Sequence, residues 1–122
     1  MRRIDLDDPE VDLDYSQRLL YRGELFTGEV EEYLAEHRVS LVTCTDGYRD
    51  GPFREWCKSG VPRAEGAMRM ESPSGAYKSW HENAVLAQRK LYGTGGGIPL
   101  SHHEWDEEGR PTHAWENTTP QV

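Results

Sequence analysis

The stretch Gly47–Gly66, GYRDGPFREWCKSGVPRAEG, decides how the rest of the chain reads. It spells an aromatic-led strand, a turn at Asp50-Gly51, a second strand closing on Trp56, a turn at Ser59-Gly60 and a third strand from Arg63 to Ala67. Both turns carry glycine because hairpin turns need a positive φ, which glycine adopts without steric cost. One hairpin would mean little by itself, but this skeleton recurs on either side.

The aromatics that close the second strand of each unit are Tyr33, Trp56, Trp80 and Trp105, spaced 23, 24 and 25 residues apart. A period in that range is the signature of an internal array. Gly28, Gly51 and Gly75 lie five residues before the first three aromatics and read as turn glycines. Gly60 and Gly109 lie four residues after Trp56 and Trp105; His37 and Ala84 hold that place in the first and third units. In the third, Asn83 is expected to take the positive φ one residue early. The fourth unit is the most degenerate, with Leu100 in place of the glycine and Gly93-Thr94-Gly95-Gly96-Gly97 as a loosened connection. An atypical last unit fits a capped array.

Within each unit the pattern is β. Val30, Phe53 and Tyr77 stand two residues after the glycine, and Tyr33, Trp56 and Trp80 five after it. Strict alternation puts those two positions on opposite faces. Either each strand carries a bulge, or both faces of the sheet bear an aromatic row; the second is preferred, because stacked aromatic ladders stabilise a ribbon with two wet faces. No segment shows a 3.6-residue apolar stripe over three turns.

The bulk composition agrees. A chain of 122 residues suits one domain, and 35% apolar against 30% charged residues leaves material for only a thin core. A stack in which each unit buries its face on its neighbours fits such a balance better than a three-layer fold. The net charge of −8 is uneven: residues 1–14 hold six acids and two bases, whereas residues 45–92 hold six acids and eight bases. Acidic ends disfavour nucleic acid and anionic membrane, which need a basic footprint, and favour a basic protein partner. MRRIDLDDPEV lacks the apolar run of a signal peptide, and no stretch is apolar for the length of a membrane span. Cys44 and Cys57 are read as free thiols in a reducing cytoplasm.

Gly51-Pro52-Phe53-Arg54-Glu55-Trp56 and Gly75-Ala76-Tyr77-Lys78-Ser79-Trp80-His81-Glu82-Asn83 resemble the G-x-x-x-x-W/Y and W-x-E-N-G cores of the MORN-repeat variant found in YwqK-type antitoxins. Leu19 to Gly28, LLYRGELFTG, is similar to the first strand of such proteins, and the resemblance covers roughly residues 19–116. It implies an all-β fold: an elongated antiparallel meander of about four hairpin repeats in a twisted, largely single-layer sheet. It also implies a non-enzymatic antitoxin or immunity protein that occludes a cognate toxin. A MORN-type structural or scaffold module, binding protein or lipid, is the alternative.

Catalytic readings fare poorly beside this one. His102 and His103 are adjacent and point to opposite faces of a strand, so they do not chelate one ion together, and no zinc spacing accompanies them. The glycine run 93–97 is followed by Ile98-Pro99-Leu100 and lacks the lysine and helix of a phosphate loop. Cys57 has no histidine in its unit, and Glu31-Glu32 and Glu107-Glu108 lack the apolar surroundings that raise a carboxyl pKa. No catalytic residue, metal or cofactor is expected. Trp56 and Trp80 are read as scaffold. Partner contacts are expected at positions the repeat does not fix: Arg54, Glu55 and Lys78 on the sheet, Asp5, Asp7, Asp8, Asp12 and Asp14 in an acidic arm, and Glu104 and Asp106 near the C-terminus. Glu31, Arg54 and Lys78 share one register position, and Glu32, Glu55 and Ser79 the next, so the two sets should face opposite ways. The organisation expected is an acidic arm over 1–18, extended or partly ordered, a repeat domain over 19–116 and a disordered tail over 117–122.

Overall fold

A computed structural model describes residues 1–93 and 98–116; the expected tail and most of the glycine run lie outside them. The described chain is all β, and its main body is an antiparallel meander. In chain order the strands are β1 (Arg3–Asp5), β2 (Val11–Leu13), β3 (Leu19–Tyr21), β4 (Glu24–Leu25), β5 (Gly28–Leu34) and β6 (His37–Thr45). They continue as β7 (Tyr48–Trp56), β8 (Pro62–Arg69), β9 (Ser72–Trp80), β10 (Leu86–Tyr92), β11 (Ser101–Trp105) and β12 (Pro111–Glu116). Nine of them form one open sheet in the order β1-β5-β6-β7-β8-β9-β10-β11-β12, and β2-β3-β4 form a second.

Two kinds of turn recur along the chain. At one end, Arg22-Gly23, Asp46-Gly47 and Met70-Glu71 each close a two-residue loop with both residues at positive φ, 24 residues apart. That is the turn whose twist matches paired strands. At the other end, His81 N–H donates to Val85 O at 2.8 Å and Ala84 N–H to His81 O at 2.9 Å. The same two bonds recur at Cys57–Val61, Asp106–Arg110 and Asp14–Arg18. The positive-φ residues of these four loops are Ala84, Gly60, Gly109 and Gln17.

Two expectations are corrected by this geometry. Gly51 and Gly75 are not turn residues: they sit inside nine-residue strands at φ 111° and 69°. Each opens an irregularity, with Val42 opposite Phe53 but Cys44 opposite Arg49, and Glu65 opposite Lys78 but Ala67 opposite Ser74. The true turn lies four residues upstream, at Asp46-Gly47 and Met70-Glu71. In the third unit the positive φ falls on Ala84 itself and not on Asn83, whose side chain caps the loop by accepting from Val85 N at 3.1 Å.

Both aromatic rows exist, and so do bulges. The register of β5–β6, β7–β8, β9–β10 and β11–β12 shifts by one residue beside each closing aromatic. The extra residues, Val39, Arg63, Ala87 and Thr112, are all on the return strand. The outgoing strands therefore keep their alternation from Val30 to Tyr33 and from Phe53 to Trp56, which puts the two rows on opposite faces.

The N-terminal stretch is ordered as strands, beyond the extended or partly ordered arm expected. Arg3–Asp5 pairs in parallel with Glu29–Glu31 at the edge of the main sheet, and β2-β3-β4 fold over one face of it. The reason is apolar burial: Ile4, Leu19, Phe26, Val30 and Cys44 form the core, with Val11, Tyr21 and Val42 packed on it. Where β4 gives way to β5, Phe26 turns inward and is only 3% exposed. Gly47 joins the layers, donating to Phe26 O at 2.8 Å while its carbonyl accepts from Leu19 N at 2.9 Å. A Cβ at Gly47 would stand 2.9 Å from Leu19 O, so the close approach needs glycine. Beyond the β6–β7 turn the sheet is a single layer whose one buried residue, among those described, is Ala64.

Candidate functional site

Most of the acids singled out in the sequence build turns. Asp5 accepts from Asp7 N at 2.9 Å, Asp8 from Glu10 N at 2.8 Å, and Asp12 from Leu13 N at 2.8 Å. Asp14 takes the backbone N–H groups of Ser16 and Arg18 and the Arg18 guanidinium; Asp106 does the same with Glu108 and Arg110. These bonds fall on the charged carboxylate. Chiefly through the Arg18 and Arg110 backbone amides respectively, they hold both carboxyls below the ordinary aspartate value. Asp7 contributes only its backbone N–H among the side-chain bonds of this stretch and leaves its carboxylate in solvent. Glu104 lies 3.0 Å from His102 Nε2 and accepts from Gln88 at 3.4 Å.

Arg54, Glu55 and Lys78 take up the expected arrangement. Across the ladders, Glu31 stands opposite Leu41, Leu41 opposite Arg54, Arg54 opposite Glu65, and Glu65 opposite Lys78. The row continues through Arg89 and His103 to Ala114. Directly paired residues share a face, so Glu31, Arg54 and Lys78 line one side with the Tyr33, Trp56, Trp80 and Trp105 row next to them. Glu55 lies on the other side, opposite Ser40 and Ala64. That second face carries Val30, Val42, Phe53, Lys90, His102 and Trp115, linked pair by pair apart from the Gly66–Tyr77 step. There, a Cβ on Gly66 would touch the Phe53 ring at 3.0 Å and the Tyr77 ring at 3.3 Å, so the glycine lets the two rings meet above it.

Arg89 was not anticipated. It stands nine residues after Trp80, as Glu65 stands nine after Trp56, so aligning return strands as well as outgoing ones exposes it. On the first face Arg38 lies 4.8 Å over the Trp56 ring and Arg89 6.0 Å over Trp105; on the second, Lys90 lies 5.7 Å over Tyr77. Such contacts fix cations over aromatic faces.

Compared with protein-family models, curated proteins and solved structures, the chain matches none of them.

Three other features bear on chemistry. Among the described residues no three His, Cys, Asp or Glu side chains come together as a metal site. Cys44 and Cys57 are both free thiols. Burial pushes the Cys44 thiol up to about 11, which keeps it protonated and inert at neutral pH. Cys57, Lys58, His81 and Glu107 border an open groove of about 820 Å³ along the loop end of the sheet. There Asn83 donates to Glu107 O and a His81 ring nitrogen bonds Trp105 O, each at 2.8 Å. These bonds fasten neighbouring loops to one another. No helix of the described chain is long and apolar enough to cross a membrane.

Proposed function

We propose that this chain is a protein-binding module that neutralises a cognate bacterial toxin by covering it, as its resemblance to YwqK-type antitoxins suggests. The observation that carries the reading is the single-layer sheet after β6, which leaves two ordered, side-chain-rich faces without a core to cover. From β5 to β12 one face spans roughly 34 Å by 25 Å, from strand spacing and rise. That is close to the ~800 Å² each partner buries in a standard-size complex. The charged positions that the repeat does not fix, Arg54, Glu55 and Lys78 among them, supply the contacts, set register and exclude wrong partners.

The test is co-purification with the product of the adjacent open reading frame, together with rescue of growth when that product is expressed. The expected result is a stable one-to-one complex and restored growth. Absence of both complex and rescue would refute the reading.

A further inference from the structure

The protein carries a net charge of −8, yet the face bearing the tryptophans is cationic across its middle. Arg54, Lys78 and Arg89 occupy one register row, with Glu65 between Arg54 and Lys78 as its single acid from β7 to β11. Among the described residues none of these four forms an ion pair, although nine pairs form elsewhere. Arg54 and Arg89 are exposed and Lys78 is half-exposed. One step along the strands the same face is floored by small side chains, Pro52, Ala67 and Ala76, which border a shallow depression of about 280 Å³ with Arg54 and Glu65. One step the other way stand Trp56, Trp80 and Trp105. The result is a trough running across the strands, with a low floor and a cationic, aromatic wall.

We propose that this trough binds an extended acidic segment of the partner protein, laid across β7 to β11 with its carboxylates on Arg54, Lys78 and Arg89. The proposal rests on the reading of the chain as a protein-binding module and names the chemistry of one contact. At about 4.8 Å per strand the trough is roughly 19 Å long, the reach of about six extended residues. Two or three acids in such a segment satisfy the three cations and leave Glu65 a place opposite a neutral residue.

A polyanion with charge at every unit suits the site less well. A single-stranded nucleic acid would run past the trough onto the acidic ends of the molecule. It would also need open aromatic faces for base stacking. Arg38 covers Trp56, while Arg89 and the stacked His103 ring cover Trp105.

Fluorescence polarisation with a labelled hexapeptide of alternating glutamate and glutamine, hexaglutamine and a six-nucleotide oligothymidine tests this directly. The alternating peptide should bind with at least a tenfold lower Kd than hexaglutamine, and its binding should weaken with added salt. The triple variant R54Q/K78Q/R89Q should lose at least tenfold, while Lys90→Gln on the opposite face should change binding less than twofold. Circular dichroism and the thermal midpoint establish that both variants keep the fold. Equal binding of the two peptides, an unaffected triple variant, or tighter binding of the oligonucleotide each overturns the proposal. The same triple variant in the toxin pull-down separates the two readings. An unweakened complex refutes the trough and leaves the antitoxin function standing, whereas neither complex nor rescue with wild type refutes the function.

Discussion

Asp14 and Asp106 each close a five-residue loop with one carboxylate, taking two backbone amides and the arginine four residues on. Their charged forms are bonded in the fold and free in the unfolded chain, so both carboxyls sit below the ordinary aspartate value. A depressed folded pKa contributes stability that is fully present above the unfolded value of about 3.9 and is lost as pH falls through the folded one. Asp106→Ala should therefore lower the thermal midpoint at pH 7, and the gap to wild type should close progressively below pH 4. Asp106→Asn, which keeps one acceptor oxygen, should fall between the two. A gap that stays constant from pH 7 to pH 2.5 would show that the ionised carboxylate does not hold the loop. The same residues were read from sequence as partner contacts because an acid in a loop and an acid on an interface look alike without the amides in view. The turn bonds do not prevent a partner from touching these aspartates, but they give each a sufficient local reason to be there.

β1 is the element least legible in the sequence. Ile4 and Leu6 are two aliphatics among charged residues, too few for a periodic signal, and the pairing of β1 is with a strand some 26 residues away in a parallel sense that no local turn announces. Yet Ile4 is 7% exposed and belongs to the core, and Arg3 bridges Glu29 and Glu31 at 3.0 and 3.2 Å. Ile4→Ala should cost about 2–5 kcal/mol, the usual range for truncating a buried aliphatic, read from urea denaturation. An arm lying free of the core would show no change. The repeat itself was legible, because Trp and Tyr at a fixed interval survive any local ambiguity. The position of its turns was not. Asp46-Gly47 and Asp50-Gly51 are both Asp-Gly pairs, four residues apart, and either satisfies the positive-φ rule for a hairpin. The choice is made by strand length: turning at 46–47 lets β7 run nine residues and pair along both neighbours. Gly51 then serves the irregularity where Thr43 crowds it, 3.1 Å from a Cβ placed there. The cationic trough was half legible for a related reason. Arg54 and Lys78 fall on outgoing strands that the tryptophans align, while Arg89 falls on a return strand without so marked a residue.

At the scale of the molecule, stability should be graded along the sheet. The two-layered end holds the core of Ile4, Leu19, Phe26, Val30 and Cys44, whereas, among the described residues, β11 and β12 meet the rest of the sheet through β10 and the loop bonds from His81 and Asn83 and bury no side chain. In a stack whose units contact only their neighbours, opening begins where neighbour contacts are fewest. Native-state hydrogen exchange should therefore find the slowest amides in β3, β5 and β6, with β7 to β9 intermediate and β12 fastest. Phe26→Ala, which opens a cavity in the core at a cost of about 3–5 kcal/mol, should accelerate β3, β5 and β6 most and leave the β12 rates nearly unchanged. Uniform acceleration along all twelve strands would instead mean that the sheet opens as one cooperative unit. The gradient has a consequence for recognition. A partner seated across β7 to β11 binds the part of the sheet with no core of its own and supplies the missing second layer, so its binding should slow exchange there by a larger factor than at β3–β6. Slowing confined to β3–β6 would place the contact over the core instead, and would turn attention back to the aspartates of the N-terminal cap.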